Sequence, residues 1–206
     1  RFDYQDFFYG MIGVPIVFLI QTIFNFTILK GNHDDIVTHT GLIAFLVIAV
    51  WALIEEYFKY IAARNGGLRA KANDEPLDVP IYLITAALGF AALENALFLI
   101  PPILDGDIGT ALITGNLRFI GATLVHVASS AVIGLFGALS YFFNKRIKKI
   151  YLLSGFILAT LLHAVFNLFI IKSSENAYIG FITVWTFVIV IIVLFEKIKK
   201  IHLNKI

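Results

Sequence analysis

The chain has 206 residues, 59% of them hydrophobic and 15% charged, with a formal charge of +2 and a mean hydropathy of +0.87. A water-soluble domain of this length cannot bury so much apolar side chain, so lipid must cover part of it. No cysteine is present, which excludes disulfides, thiolate nucleophiles and cysteine-ligated metals.

About 20 apolar residues cross a bilayer core. On that measure six spans are expected, at 7–29, 40–63, 80–101, 117–143, 150–171 and 178–196. The expected fold is an all-α, polytopic integral membrane bundle of six transmembrane helices, one domain over residues 1–206. The chain opens on Arg1 rather than Met, so upstream sequence is expected. The first apolar run is long enough to span and no small-residue cleavage site follows, so it does not read as a signal peptide. No internal repeat is visible, and nothing points to nucleic acid.

The first span carries Pro15, Gln21 and Asn25. Proline is tolerated in membrane helices. Gln21 and Asn25 are one turn apart and read as helix–helix hydrogen-bonding residues. His33, Asp34 and Asp35 follow on a polar loop and read as solvated rather than metal-binding.

The second span holds Glu55, Glu56 and Lys59 inside an otherwise apolar run. Charges at such a depth cost a few kcal/mol each on insertion scales and are functional candidates by default. Gly66-Gly67 reads as the helix stop. The third span carries Glu94 and ends at Pro101-Pro102, and Asp105-Gly106-Asp107 reads as a turn.

The fourth span holds His126, Ser129 and Ser130. Ser130, Gly134 and Ala138 recur every four residues, a small-residue stripe that lets a neighbouring helix approach closely. The fifth holds His163 and, one turn later, Asn167. The sixth is apolar up to Glu196 and reads as packing. Lys and Arg concentrate in the loops after spans two and four and in the C-terminal tail. Such loops stay inside, so both termini are expected in the cytoplasm.

At about 1.5 Å per residue, Glu94, His126 and His163 fall within roughly 6 Å of their span midpoints, and Glu55 and Glu56 roughly 5 Å to the cytoplasmic side. Tilt can bring all five to one level. Exposing each to lipid would be costly, so convergence on one internal site is expected. With no thiolate and no Ser-His-Asp order, activated water is the chemistry that fits. Two histidines and a glutamate suit a catalytic zinc with an open position, the second carboxylate handling the water's proton. Without metal, glutamate can activate water directly while His and Asn donate to the oxyanion. The spacing is not His-Glu-x-x-His, so sequence leaves both mechanisms open.

Four pieces in order, Glu55-Glu56-x-x-Lys59, Phe90-x-x-x-Glu94, His126 followed by small residues, and His163-x-x-x-Asn167, resemble the PrsW-type intramembrane proteases. These are related to the CAAX prenyl protease and bacteriocin-processing superfamily. The prenyl protease branch ends its second motif in His and its first in Arg one residue later, so Glu94 and Lys59 favour the PrsW side. The resemblance implies a multi-pass peptidase of a prokaryotic cell membrane that cleaves membrane-anchored proteins, such as an anti-sigma factor. It implies Glu55 and Glu56 as catalytic carboxylates and Glu94, His126 and His163 as further active-site residues; on the residues' own chemistry Asn167 is expected to assist and Glu94, His126 and His163 to hold any zinc. The family has been called metal-dependent, while relatives are argued to use glutamate alone. A catalytically inactive scaffold is the alternative reading. An ion-coupled transporter is a third, disfavoured because no repeat or pair of broken helices is seen.

Overall fold

The computed structural model describes the backbone of residues 4–28, 42–172 and 177–203, and the side chains of 4–27, 42–169 and 182–196. The described residues form seven helices and no strand: α1 Tyr4–Ile28, α2 Leu42–Asn65, α3 Asp78–Leu104, α4 Ile108–Ile120, α5 Ala122–Leu139, α6 Lys145–Lys172 and α7 Ala177–Leu203, with a 3-10 turn at Gly67–Arg69. The all-α bundle is as expected. The His33-Asp34-Asp35 loop lies outside the described residues.

Four stretches are long and apolar enough to cross a membrane: Tyr4–Thr27, Asp78–Leu104, Ile108–Leu139 and Lys145–Phe169. Helix α2 has the length but carries Glu55, Glu56 and Lys59 in its second half. The described apolar part of α7 is Ile182–Glu196. The third of these, Ile108–Leu139, begins earlier than its sequence pattern suggested and is divided at Gly121: α4 ends at Ile120 and α5 starts after Gly121. Helical hydrogen bonds run across that position, from Gly121 N to Leu117 O and from Val125 N to Gly121 O. Pro101 and Pro102 lie inside the last turn of α3, which continues to Leu104. Their fixed φ is helical, so the last turn absorbs them. Asp105-Gly106-Asp107 is the expected turn, with Gly106 at φ +74°.

Helix α5 is the hub, with eleven of its eighteen residues buried. It can be central because its packing faces are small. Added as a Cβ, a methyl on Gly134 would strike Pro80 at the start of α3, and one on Gly155 of α6 would press on Ile133 and Phe136. The expected small-residue stripe therefore does bring α3 against α5. Helix α1 joins by a reciprocal contact, in which Gly10 abuts the Ala86 carbonyl and Gly89 abuts the Phe7 carbonyl. Without a hydrophobic drive between helices in lipid, such close backbone contact is what holds them.

Gly66 and Gly67 stop α2 as expected, and they are also a docking point. Gly67 N donates to Asp6 Oδ1 at 2.9 Å, and Asp6 is fully buried. This pins the N-terminal end of α1 to the α2–α3 connection.

Candidate active site

Glu55, Glu56 and Lys59 stand on α2, Glu94 on α3, His126 on α5 and His163 on α6. Packing α2, α3 and α6 around the hub helix brings them together, as the depth argument predicts. Glu56 and Lys59 are fully buried, His163 and His126 are 1% and 2% exposed, and Glu55 is 7% exposed. The two imidazoles meet edge to face with centroids 4.9 Å apart.

The adjacent glutamates have different surroundings. Lys59 Nζ and His163 Nδ1, at 2.8 Å, both donate to Glu56 Oε1. Ser129 Oγ is 2.7 Å from that same oxygen and 2.7 Å from the Val125 carbonyl, so its single proton is shared. Ser130 Oγ donates to Glu56 Oε2 at 3.1 Å. Glu56 is thus crowded with donors, which is how a fully buried carboxylate is tolerated. Lys59, an i, i+3 partner, completes a buried ion pair.

Glu55 Oε1 accepts from Gln21 Nε2 of α1 at 3.0 Å. Its other oxygen, Oε2, is buried and has no hydrogen-bond partner. It faces His163 Nε2 at 3.5 Å and His126 Nδ1 at 4.0 Å. A buried polar atom left without a partner carries a desolvation cost of about 1–3 kcal/mol, more when charged, so this oxygen marks where a ligand or water belongs.

The histidines are held from behind by the other carboxylates. His126 Nε2 lies 2.8 Å from Glu94 Oε2. A carboxylate only accepts, so His126 donates there and, in the neutral ring, turns its Nδ1 lone pair inward. His163 likewise donates Nδ1–H to Glu56 and turns its Nε2 lone pair towards Glu55. Metal-binding histidines characteristically give their outer N–H to a carboxylate in this way.

The donor set therefore fits a metal. Among the described residues, Glu55, His126 and His163 each offer one ligand atom within 4.8 Å of the others. The glutamate in this grouping is Glu55, whereas the sequence had suggested Glu94. Lys59 Nζ, 2.9 Å from His126 Nδ1, contends for one of the lone pairs.

Glu94 has a second partner, Arg118 of α4, whose Nη2 donates to the same Oε2 at 3.0 Å. Asn167 sits half-buried one turn beyond His163. The His163 imidazole itself is held by Glu56. Gln21, Ser129, Ser130 and Arg118 belong to the constellation without having been singled out for it. An Arg in a largely apolar stretch was the one available signal for Arg118.

Residues 6–194 match the PrsW family intramembrane metalloprotease model. The chain belongs to the PrsW family. Among its PrsW relatives, the Geobacillus kaustophilus protein named Protease PrsW is 30% identical over 172 residues, 82% of this chain and 69% of the relative. Protease PrsW of Clostridioides difficile is 27% identical over 77% of this chain and 62% of the relative. Protease PrsW of Shouchella clausii is 27% identical over 94% of this chain and 80% of the relative. No solved structure matches significantly. Membership makes this chain an integral membrane peptidase acting on protein substrates embedded in the bilayer.

Proposed function

We propose that this PrsW protein hydrolyses a peptide bond of a membrane-anchored protein with water activated at Glu55. The observation that carries the reading is the buried, unpartnered Glu55 Oε2 facing two imidazoles. A water bound there has an acceptor in Glu55 Oε2 and a second in the inward His163 Nε2. Glu55 takes a proton from the water as its oxygen attacks the carbonyl carbon, then delivers that proton to the departing amine nitrogen. The C–N bond breaks and the hydroxyl stays on the new carboxyl group.

Glu56 has a different task in this scheme. Saturated with donors, it holds His163 and Lys59 in place. The buried Lys59 ammonium supplies fixed positive charge near the carbonyl oxygen as it becomes anionic, an arrangement that gains strength where water is excluded. Asn167 is the proposed amide donor to that oxygen. In the alternative form of the chemistry a zinc ion held by Glu55, His126 and His163 would supply Lewis-acid polarisation and a more acidic bound water, with Glu55 then a ligand and not the base.

The proposed topology has six crossings and cytoplasmic termini, supported by the alternation of basic loops. The proposed substrate class is a single-pass regulatory protein such as an anti-sigma factor.

The test is cleavage of a membrane-anchored peptide by the purified chain in proteoliposomes, with products identified by mass spectrometry. Glu55→Gln is expected to lower kcat by about 10²–10⁴-fold, the range typical of a lost general base. Cleavage by Glu55→Gln at the wild-type rate would overturn the assignment.

A further inference from the structure

Behind His126 the contacts continue outward to α4. Arg118 Nη2 and His126 Nε2 meet on one oxygen, Glu94 Oε2, at 3.0 and 2.8 Å. The guanidinium is fixed on two more sides. Its Nε donates to Asn95 Oδ1 at 3.0 Å, and its plane lies over the Phe98 ring, 3.6 Å from the centroid. Asn95 is in turn held, donating to Thr123 Oγ1 at 2.9 Å.

We propose that Arg118 is a positioning residue for His126, acting through Glu94. An imidazole hydrogen-bonded at one nitrogen to a carboxylate is set in tautomer and in ring orientation. That setting is only as firm as the carboxylate. Glu94 stands where the site begins to open, with 14% of its side chain exposed, and with His126 as its one remaining partner it would be free to change rotamer. Arg118 prevents this by a charge-assisted bond from a clamped, planar donor.

The placement of Arg118 on α4 gives the arrangement a further consequence. Helix α4 is lightly held, with only Ala111 buried, and it lies between the Gly106 turn and the Gly121 junction with α5. Asn95, Glu94 and Phe98 all belong to α3, so Arg118 is a polar tie between α4 and α3. A displacement of α4 would therefore be felt at His126 through two hydrogen bonds. Arg118 thus connects the position of a peripheral helix to the geometry of the reacting centre.

The proposal rests on the peptidase reading for its kinetic arm, and a second arm is independent of it. The full chain labelled with ¹⁵N-histidine reports the His126 tautomer by NMR, with assignment from His126→Gln. Arg118→Gln is expected to alter the His126 nitrogen shifts while leaving those of His163 in place. It is also expected to lower kcat about 10–100-fold, the usual size of an effect on a supporting partner, with KM within about twofold. Arg118→Lys keeps the charge and is expected to recover part of kcat. In a Glu94→Gln background, Arg118→Gln is expected to cost less than twofold more, because the path is already cut. Unchanged His126 shifts in Arg118→Gln would overturn the proposal, as would a raised KM at unchanged kcat, which would make Arg118 a substrate contact. If the wild-type chain cleaves nothing, the peptidase reading fails and the NMR arm alone decides the role of Arg118.

Discussion

Gln21 of α1 donates a 3.0 Å hydrogen bond to Glu55 Oε1 of α2. Helix α1 thereby reaches the carboxylate proposed to activate water, although none of the four motif pieces lies on it. With Oε1 occupied by an amide, the carboxylate plane is fixed and Oε2 is presented to the histidines. Gln21→Leu is expected to free the Glu55 side chain to rotate. Peptidase kcat should fall about 10–100-fold, as for other supporting partners, while thermal stability in detergent changes by no more than about 1 kcal/mol, the net worth of one hydrogen bond. Kinetics and a melting curve on the same preparation check this.

Glu56 should behave differently from its neighbour. Replacing it by Ala leaves the Lys59 ammonium buried without its counter-charge, the kind of change that costs about 3–5 kcal/mol. The expected result is a large drop in melting temperature and poor recovery of folded protein, with the loss of activity following from that. Adding Lys59→Met to Glu56→Ala should recover a good part of the stability, because the orphaned charge is gone. A Glu56→Ala protein that melts like wild type would show that the pair carries no structural weight.

The contrast between the two glutamates marks what a sequence can and cannot say here. Depth was legible: a helix rises by a fixed amount per residue, so counting from span ends placed Glu55, Glu56, Glu94, His126 and His163 near mid-span, within what helix tilt can bring to one level. Rotation about the helix axis was not legible. Whether Glu55 or Glu56 receives Ser129 and Ser130 depends on how α2 and α5 turn towards each other, which is set by tertiary packing that counting along the chain does not give. The same holds for Gln21. Its pattern announced a helix–helix hydrogen bond, and only the structure names Glu55 as the acceptor. Arg118 was obscured by a boundary, because the fourth span was expected to start at residue 117 and the helix in fact begins at Ile108.

Close packing of α3 on α5 gives a steric prediction. Gly134→Val places a branched side chain where Pro80 Cα and Cβ already lie. Pro80 is backbone-rigid and can give little, so overpacking of about 1–3 kcal/mol is expected. Separation of α3 from α5 would also pull Glu94 from His126, so activity should fall with stability. Gly109→Ala, on α4, meets only the Asp107 side chain at 3.5 Å and should leave both unchanged.

The start of α4 should be sensitive to acid. Asp107 caps it, accepting from Thr110 N at 2.9 Å and from Thr110 Oγ1 at 2.6 Å. These bonds, first from the hydroxyl and then from the amide, hold the carboxyl below its usual 3.8. A lowered folded-state value means the cap contributes fully above pH ~4 and is lost as pH falls through the lowered value. Protection of the Thr110 amide from hydrogen exchange, relative to its intrinsic rate at each pH, should fall only in that acid range, and Asp107→Ala should show the lower protection at neutral pH.

The metal content of the purified chain separates the two forms of the proposed chemistry. If zinc is held by Glu55, His126 and His163, the wild type should carry one zinc per chain, and Ala at any of the three should abolish it. Glu94→Gln should behave otherwise: the ligand atoms remain, but His126 loses the carboxylate that sets its tautomer, so affinity should fall about 10–100-fold without vanishing. Lys59 adds a sign that no simple ligand set would give. Its ammonium sits 2.9 Å from His126 Nδ1, so Lys59→Gln removes both a competitor for that lone pair and a positive charge beside a dication, and should tighten zinc binding. Competition titration against a chromophoric chelator measures all of these without any substrate. Weaker binding in Lys59→Gln would mean the ammonium supports the ligand geometry more than it opposes the ion. Full activity after complete removal of metal would leave Glu55 to activate water alone.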